Sequence, residues 1–98
     1  MDHERTRPKA VPNQQLSEFG VIVTRWDFPP GGETGWHLHA YNYVVVPLTK
    51  GTLTLETREA TNQAALTPGE SYARAAGVEH NVVNDNNFAF SFVEIEIK

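Results

Sequence analysis

Turn signals rich in glycine, proline and asparagine divide most of this chain into segments that are short for helices. They include Pro29-Pro30-Gly31-Gly32, Thr49-Lys50-Gly51, Thr67-Pro68-Gly69-Glu70 and Asp85-Asn86-Asn87. No long stretch between them shows the 3.6-residue period of an amphipathic helix, and several are rich in β-branched residues. Short strands at regular spacing between such turns predict an all-β sandwich or barrel with little helix.

The segments between the turns supply the predicted strands. Residues 20–26 are rich in β-branched side chains, and residues 52–57 alternate threonine with leucine, the period of two typical of a strand with one buried face. The other strand candidates are residues 36–39, 43–48, 71–75 and 80–84. Residues 60–66 are compatible with a weak helix or with a strand.

The final stretch, residues 88–97, is apolar in two alternating phases. Phenylalanines share one parity near its start and aliphatic residues share the other near its end: Phe88, Phe90 and Phe92, then Val93, Ile95 and Ile97. Either a bulge shifts the phase, or the two ends face different layers, one of them across a subunit interface. Glu94 and Glu96 alternate with the aliphatic set and are predicted to lie on the solvated face.

The length of 98 residues fits one domain. Residues 1–16 are polar and contain Pro8 and Pro12, so they are predicted to form a flexible or edge-docking arm. Residues 17–98 are predicted to form the barrel domain. A core this small gains from self-association, and we expect a homodimer.

Charge and composition argue against several classes of protein. The net charge of -4 disfavours nucleic acid or an anionic membrane as the main partner. The absence of cysteine excludes disulfides, thiolate catalysis and zinc–thiolate sites. No apolar run approaches the roughly 20 residues of a membrane span, and the first residues lack the apolar core of a signal peptide. A soluble cytoplasmic protein is therefore predicted.

Three histidines are candidates for a metal site. His37 and His39 are two residues apart, so in a strand they point to the same side, about 6.6–7 Å apart. His80 follows the turn at Gly77 and enters another predicted strand, which can bring a third nitrogen to the same ion if the strands face each other. His3 lies in the polar arm and is expected to be exposed to solvent.

Two spaced motifs around these histidines resemble those of the cupins, a family of small β-barrels. The first motif is matched by Gly31, His37-Leu38-His39 and Gly51, and the second by Gly69, Ala75, Gly77, His80 and Asn84, with Ala75 in place of a proline. The resemblance spans residues 31–84. It implies a double-stranded β-helix, or jelly-roll barrel, in which His37, His39 and His80 bind one divalent transition metal ion: iron, zinc, nickel or manganese.

The glutamate that usually completes the cupin metal site is missing. The motif spacing puts Tyr43 or Val44 at its position. Val44 has no donor atom, and a phenol with a pKa near 10 is a poor ligand unless the metal lowers that pKa strongly. Three neutral imidazoles would leave the charge of the ion uncompensated and leave coordination positions open, which favours a small anionic or chelating oxygenated metabolite.

Four further side chains are candidate site residues. Tyr41 and Tyr43 are predicted to be catalytic, since a phenol can donate a hydrogen bond to a metal-bound anion, and Tyr41 shares the parity of the histidines if the strand is unbroken. Arg25, Trp36, Tyr41 and Tyr43 are predicted to bind substrate. Arg25 would bind a carboxylate bidentately if it points inward; the alternative is a surface arginine.

Two classes of function follow. The first is a mononuclear metalloenzyme for a small molecule: a dioxygenase if the metal is iron, or a Lewis-acid hydrolase or isomerase otherwise. The alternative is a non-catalytic module that binds or senses a small ligand. A barrel stabilised by zinc without turnover is a third possibility.

Overall fold

The structure is a computed structural model that describes residues 6–98. The described chain forms nine strands: β1 (Val11–Glu18), β2 (Val21–Phe28), β3 (His37–Leu38), β4 (Asn42–Pro47), β5 (Gly51–Glu56), β6 (Thr61–Leu66), β7 (Tyr72–Arg74), β8 (Glu79–Val83) and β9 (Phe90–Ile97). Residues 6–98 contain no helix, and so none long and apolar enough to span a membrane. His3 lies outside the described residues.

The strands form two antiparallel sheets. The larger sheet has the order β1-β2-β9-β4-β7, and the smaller has the order β3-β8-β5-β6. The neighbours in each sheet are mostly distant in sequence, as the crossovers of a jelly roll require. The predicted all-β architecture with little helix is confirmed, and the ambiguous residues 60–66 contribute strand β6.

Strand β9 explains the two apolar phases of the last stretch. Its register with β2 and with β4 is continuous, so no bulge shifts the phase. Phe90 and Phe92 are buried on the inner face, while Val93 and Ile95 are partly exposed on the outer face of the larger sheet. The second alternative is therefore the one observed: the aromatic start and the aliphatic end face different layers.

The chain before residue 19 contains an edge strand. Residues Val11–Glu18 pair with β2 across the turn at Phe19 and Gly20, which have φ angles of 53° and 78°. Positive φ at both central residues is the conformation of a type I′ hairpin turn. The predicted boundary between residues 16 and 17 thus falls inside β1, whose side chains are exposed along its whole length.

The core lies between the inner faces of the two sheets. Its most buried side chains include Phe28, Phe90, Leu53 and Val83. Asn84 is also fully buried. Its amide nitrogen donates to the carbonyl oxygens of Pro29 and Phe88 at 3.1 and 2.8 Å, which offsets the cost of burying this polar group. Asn84 thus holds the segment at Pro29 against the segment at Phe88.

Candidate metal centre

Three histidines meet where β3 pairs with β8. His37 lies in β3 directly across from His80 in β8, and His39 is the first residue after β3. The Nε2 atom of His39 lies 3.1 Å from Nε2 of His37 and 3.0 Å from Nε2 of His80. The ligand atoms of the three rings all lie within 4.8 Å of one another. Nitrogens that share one ion at about 2.0–2.1 Å are roughly 3 Å apart, so the cluster can hold a metal ion.

The loop before β3 orients the ring of His37. Gly35 has a φ of 89°, a left-handed conformation that glycine adopts without strain. Its carbonyl oxygen lies 2.8 Å from Nδ1 of His37 and can only accept a hydrogen bond, so Nδ1 carries the proton. With the proton on Nδ1, the Nε2 atom is the one that can offer a lone pair to a metal ion.

Burial keeps the other two imidazoles neutral. Desolvation lowers the pKa of His39 to about 4, and repulsion from His37 and His80 adds to the effect. Desolvation and the charge of His37 likewise lower the pKa of His80 to about 4. Metal binding requires deprotonated imidazoles, so the donor set fits a divalent transition metal at neutral pH.

Tyr43 occupies the region where the family's glutamate is missing. Its side chain is buried, and its ring stacks on His39 with the centroids 3.9 Å apart and the planes 18° apart. Burial, helped by Tyr72 and Glu94, raises the pKa of Tyr43 to about 12, so the phenol is protonated at neutral pH. Val44, the other candidate at this position, belongs to the opposite face of β4 and does not line the cavity.

The histidines open onto a cavity of about 610 Å³ that is lined by both sheets. Much of its wall is aromatic or aliphatic, including Trp26, Tyr43, Leu53, Leu55, Tyr72 and Phe92. A cavity with an apolar wall and a few converging polar groups is typical of a small-molecule site.

Three of the predicted substrate residues do not line this cavity. Trp36 is about half exposed, and the guanidinium of Arg58 lies 5.5 Å from the centre of its ring. Tyr41 is also exposed, because β3 ends at Leu38 and the unbroken strand assumed for Tyr41 does not exist. The parity argument that directed Tyr41 inward is therefore wrong.

Arg25 lies on the outer face of β2. Its neighbours Thr24 and Trp26 line the cavity, so strand alternation directs Arg25 the other way. Its Nε atom donates to the Asp27 carboxylate at 3.2 Å. The inward orientation considered from the sequence is wrong, and the surface alternative is the one observed.

Glu94 belongs to the cavity wall, contrary to the prediction of a solvated face. Its side chain is only about a tenth exposed, and Oε2 lies 3.7 Å from Nδ1 of His39. Desolvation, with repulsion from Glu96, raises the pKa of Glu94 to about 7, although a hydrogen bond from Trp26 opposes the shift. Glu94 shares its parity with Phe90 and Phe92, and that continued alternation is the sequence signal that would have placed it inside.

Asn81 connects the histidine loop to the smaller sheet and was not singled out by the sequence motifs. It is buried, and its Oδ1 atom accepts hydrogen bonds from the backbone of Gly35 at 2.8 Å and from Thr34 Oγ1 at 3.4 Å. Its amide nitrogen donates to Glu33 at 2.9 Å and to Glu56 at 3.1 Å. The loop that presents His37 is thus held by a buried polar network.

Replacing Asn81 by leucine should weaken both the fold and the metal site. The substitution removes the acceptor of the Gly35 N–H and one hydrogen bond from each of the carboxylates of Glu33 and Glu56, which costs about 2–4 kcal/mol of unfolding free energy. Loss of ligand orientation should lower the zinc affinity about 10–100-fold. Urea unfolding and a competitive zinc titration measure the two effects; Asn87→Leu, at an exposed position, is the control. Equal behaviour of the two variants would contradict a supporting role for Asn81.

Comparisons with known proteins agree with this geometry. Residues 24–96 match the model of a family described as Cupin domain. The chain is 56% identical over 92 residues to the beta-alanine degradation protein BauB of Pseudomonas aeruginosa, an alignment that covers 94% of this chain and 97% of that protein.

Solved structures show the same fold. The crystal structure of a cupin domain from Bordetella pertussis Tohama I superimposes with a TM-score of 0.94 at 56% identity, covering 96% of this chain and 98% of that one. The cupin domain of an XRE family transcriptional regulator from Enterobacter cloacae has a TM-score of 0.70 at 15% identity and covers 91% and 96% of the two chains. The latter likeness concerns the fold alone.

Proposed function

Because this chain belongs to the cupin family, we propose that its three-histidine cluster is the metal centre of an enzyme that acts on a small, oxygen-bearing metabolite. The observation that carries this proposal is the convergence of three Nε2 atoms at the wall of a cavity of about 610 Å³. We propose His37, His39 and His80 as the ligands of one ion of iron, zinc, nickel or manganese.

Three protein ligands leave coordination positions open, as in catalytic rather than structural sites. The bound ion would supply Lewis acidity, or oxygen activation if it is iron. The chain itself supplies the orientation of His37 through Gly35 and the packing of Tyr43 against His39. The apolar wall excludes water from the bound molecule, which strengthens polar interactions within the cavity.

The name of the Pseudomonas relative supports a substrate class. That relative is a beta-alanine degradation protein that is 56% identical and matches this chain over nearly its whole length. We propose that this chain also acts on a short carboxylate in the breakdown of β-alanine. A carboxylate is the kind of oxygen ligand that an ion bound only by neutral imidazoles favours.

Metal content and turnover test this proposal. Protein purified without a histidine tag should contain about one transition metal ion per chain, and that ion should be absent from the His37→Ala variant. Oxygen uptake or product formation on β-diketones, thiols, short keto acids and β-alanine derivatives should then depend on the metal. Metal-free protein that binds a small ligand equally well with and without His37 would contradict the metalloenzyme.

The alternative function is a non-catalytic module that binds or senses a small ligand. A cavity with an apolar wall and a few converging polar groups also suits ligand binding without turnover, which supports keeping this alternative. It requires ligand binding without turnover under every metal tested. A zinc-stabilised barrel would show a third pattern, in which chelation lowers the thermal midpoint and no ligand binds.

We propose that the protein is a homodimer formed through the outer face of the larger sheet. Val23, Ile95 and Val44 lie side by side there on β2, β9 and β4, and Val46 pairs with Val93 in the next row. Such a continuous apolar patch is typical of an interface between subunits.

Sedimentation should therefore give a mass well above the 11.0 kDa of one chain at micromolar concentration. Ile95→Glu should shift that mass toward the monomer, because it puts a charge in the centre of the patch. Phe19→Glu is the control, since Phe19 is almost fully exposed and lies outside the patch. A wild-type mass of one chain would contradict the dimer.

A further inference from the structure

We propose that Glu94, together with Glu96 and the aromatic wall, forms an ammonium-binding subsite beside the histidines. The substrate would then carry a primary ammonium group as well as an oxygen donor, as a short ω-amino acid does. This inference rests on the proposed function and specifies the substrate of the same site.

The first support is that Glu94 is a buried carboxylate that faces the cavity without a permanent cation beside it. Trp26 Nε1 donates to its Oε1 atom at 3.4 Å, and Oε2 lies 3.7 Å from His39 Nδ1, beyond hydrogen-bonding distance. An imidazole that serves as a metal ligand is neutral. An ammonium group bound in the cavity would supply the cation that the chain does not place beside this carboxylate.

The second support is the arrangement of charge along the cavity. Glu96 also lines the cavity and follows Glu94 on the same face of β9. Among residues 6–98, no lysine or arginine nitrogen lies within 4.0 Å of either carboxylate. Arg74 also lines the cavity, but its guanidinium lies over the ring of Tyr72, at 4.7 Å from the centroid, and donates to the carbonyl of Ala73. Two carboxylates therefore remain available to a cationic ligand.

The third support is the aromatic wall around the carboxylates. Trp26, Tyr43, Tyr72 and Phe92 all line the cavity. The faces of aromatic rings attract ammonium groups, and the attraction is strongest where water is excluded. A carboxylate combined with aromatic surface is thus a chemistry suited to an alkylammonium ion, whereas a second carboxylate group of a ligand would be repelled by Glu94.

The histidines set the other requirement on the ligand. Because Glu94 lies against the ring of His39, an ammonium group at Glu94 is close to the three-histidine cluster. A molecule that also carries a carboxylate can direct that group toward the bound ion, which favours anionic oxygen. The cavity of about 610 Å³ is ample for such a molecule.

The test compares β-alanine with propionate, which differs by lacking the amino group, on zinc-loaded protein by calorimetry. We expect β-alanine to bind about tenfold more tightly than propionate, or better, from one charge-assisted contact in a buried site. Glu94→Gln should remove this preference, because the neutral amide offers no charge to the ammonium group. Glu70→Gln, at an exposed turn residue, is the matched control and should keep the preference.

Three results would overturn the subsite. The first is equal affinity of the wild type for β-alanine and propionate. The second is that neither ligand binds to protein that holds zinc. Equal weakening of both ligands by Glu94→Gln would show that Glu94 acts through His39 and the ion instead. If the protein binds no metal, the proposed function fails separately. In that case the metal-free protein is titrated with 3-aminopropanol. The subsite is supported if this amine binds and if Glu94→Gln weakens its binding about tenfold.

Discussion

A His39→Ala variant should bind zinc about a thousandfold more weakly than the wild type, because His39 is the central ligand of the cluster. Its Nε2 atom is the one that lies within 3.1 Å of both other ring nitrogens. Binding of structural zinc by a complete ligand set contributes about 10–16 kcal/mol, so one ligand in three or four accounts for about 4 kcal/mol. Competition against a chelator of known zinc affinity measures this loss.

The same substitution should leave the metal-free chain folded. Burial lowers the pKa of His39 and of His80 to about 4, so both rings are neutral at neutral pH and their removal takes away packing rather than a charge. Alanine removes the ring that stacks on Tyr43, so a modest decrease in thermal midpoint is expected from the lost contact. Circular dichroism of the metal-free variant separates loss of ligand from loss of fold.

Two further histidine variants serve as comparisons for the zinc affinity of His39→Ala. His37→Ala removes a half-buried ligand outside the core and should weaken zinc binding to a similar degree. His3→Ala removes the fourth histidine of the chain and should change nothing. Retention of wild-type zinc affinity by His39→Ala would exclude the three-histidine site, and so would an equal loss in His3→Ala.

The His37–His39 pair was predictable from sequence because its geometry is local, whereas His80, 41 residues from His39, was placed by the second motif. Residues two apart in a strand share a face, and β3, although only two residues long, keeps His37 and His39 close enough to meet His80. The all-β fold was predictable for a similar reason, since turns are specified by glycine, proline and asparagine at particular positions. Neither inference required knowledge of which residues the barrel buries.

The residues that were misplaced depend on longer-range packing. The first residues were predicted as a flexible or edge-docking arm, and they contain an edge strand whose bounds had no sequence signal, because β1 is exposed along its length and is held by backbone hydrogen bonds to β2. Glu94 alternates with aliphatic residues and was assigned to solvent. The aliphatic face of β9 is instead the outer one, and the carboxylate enters the cavity. Tyr41 was misplaced because the end of β3 at Leu38 has no local marker.

A Phe28→Ala variant should lose about 3–5 kcal/mol of unfolding free energy, the range expected when a fully buried phenylalanine is truncated. Phe28 is among the most completely buried side chains, at 1% exposure, and its ring centroid lies 5.5 Å from that of Phe92. Domains of this size are stable by about 5–15 kcal/mol, so the loss is a large fraction of the total. The shift of the urea midpoint measures it.

Phe19→Ala is the matched control, because it removes the same side chain from a position that is 97% exposed. It should change the unfolding free energy by less than about 0.5 kcal/mol. If Phe28→Ala does not fold, Phe28→Leu should give a smaller loss that is still measurable, since part of the ring volume is refilled. Equal losses at positions 28 and 19 would contradict the burial of Phe28.

Phe92 contacts Phe28 and also lines the cavity. The zinc-loaded Phe28→Leu variant should therefore lose affinity for the ligand before it loses its metal.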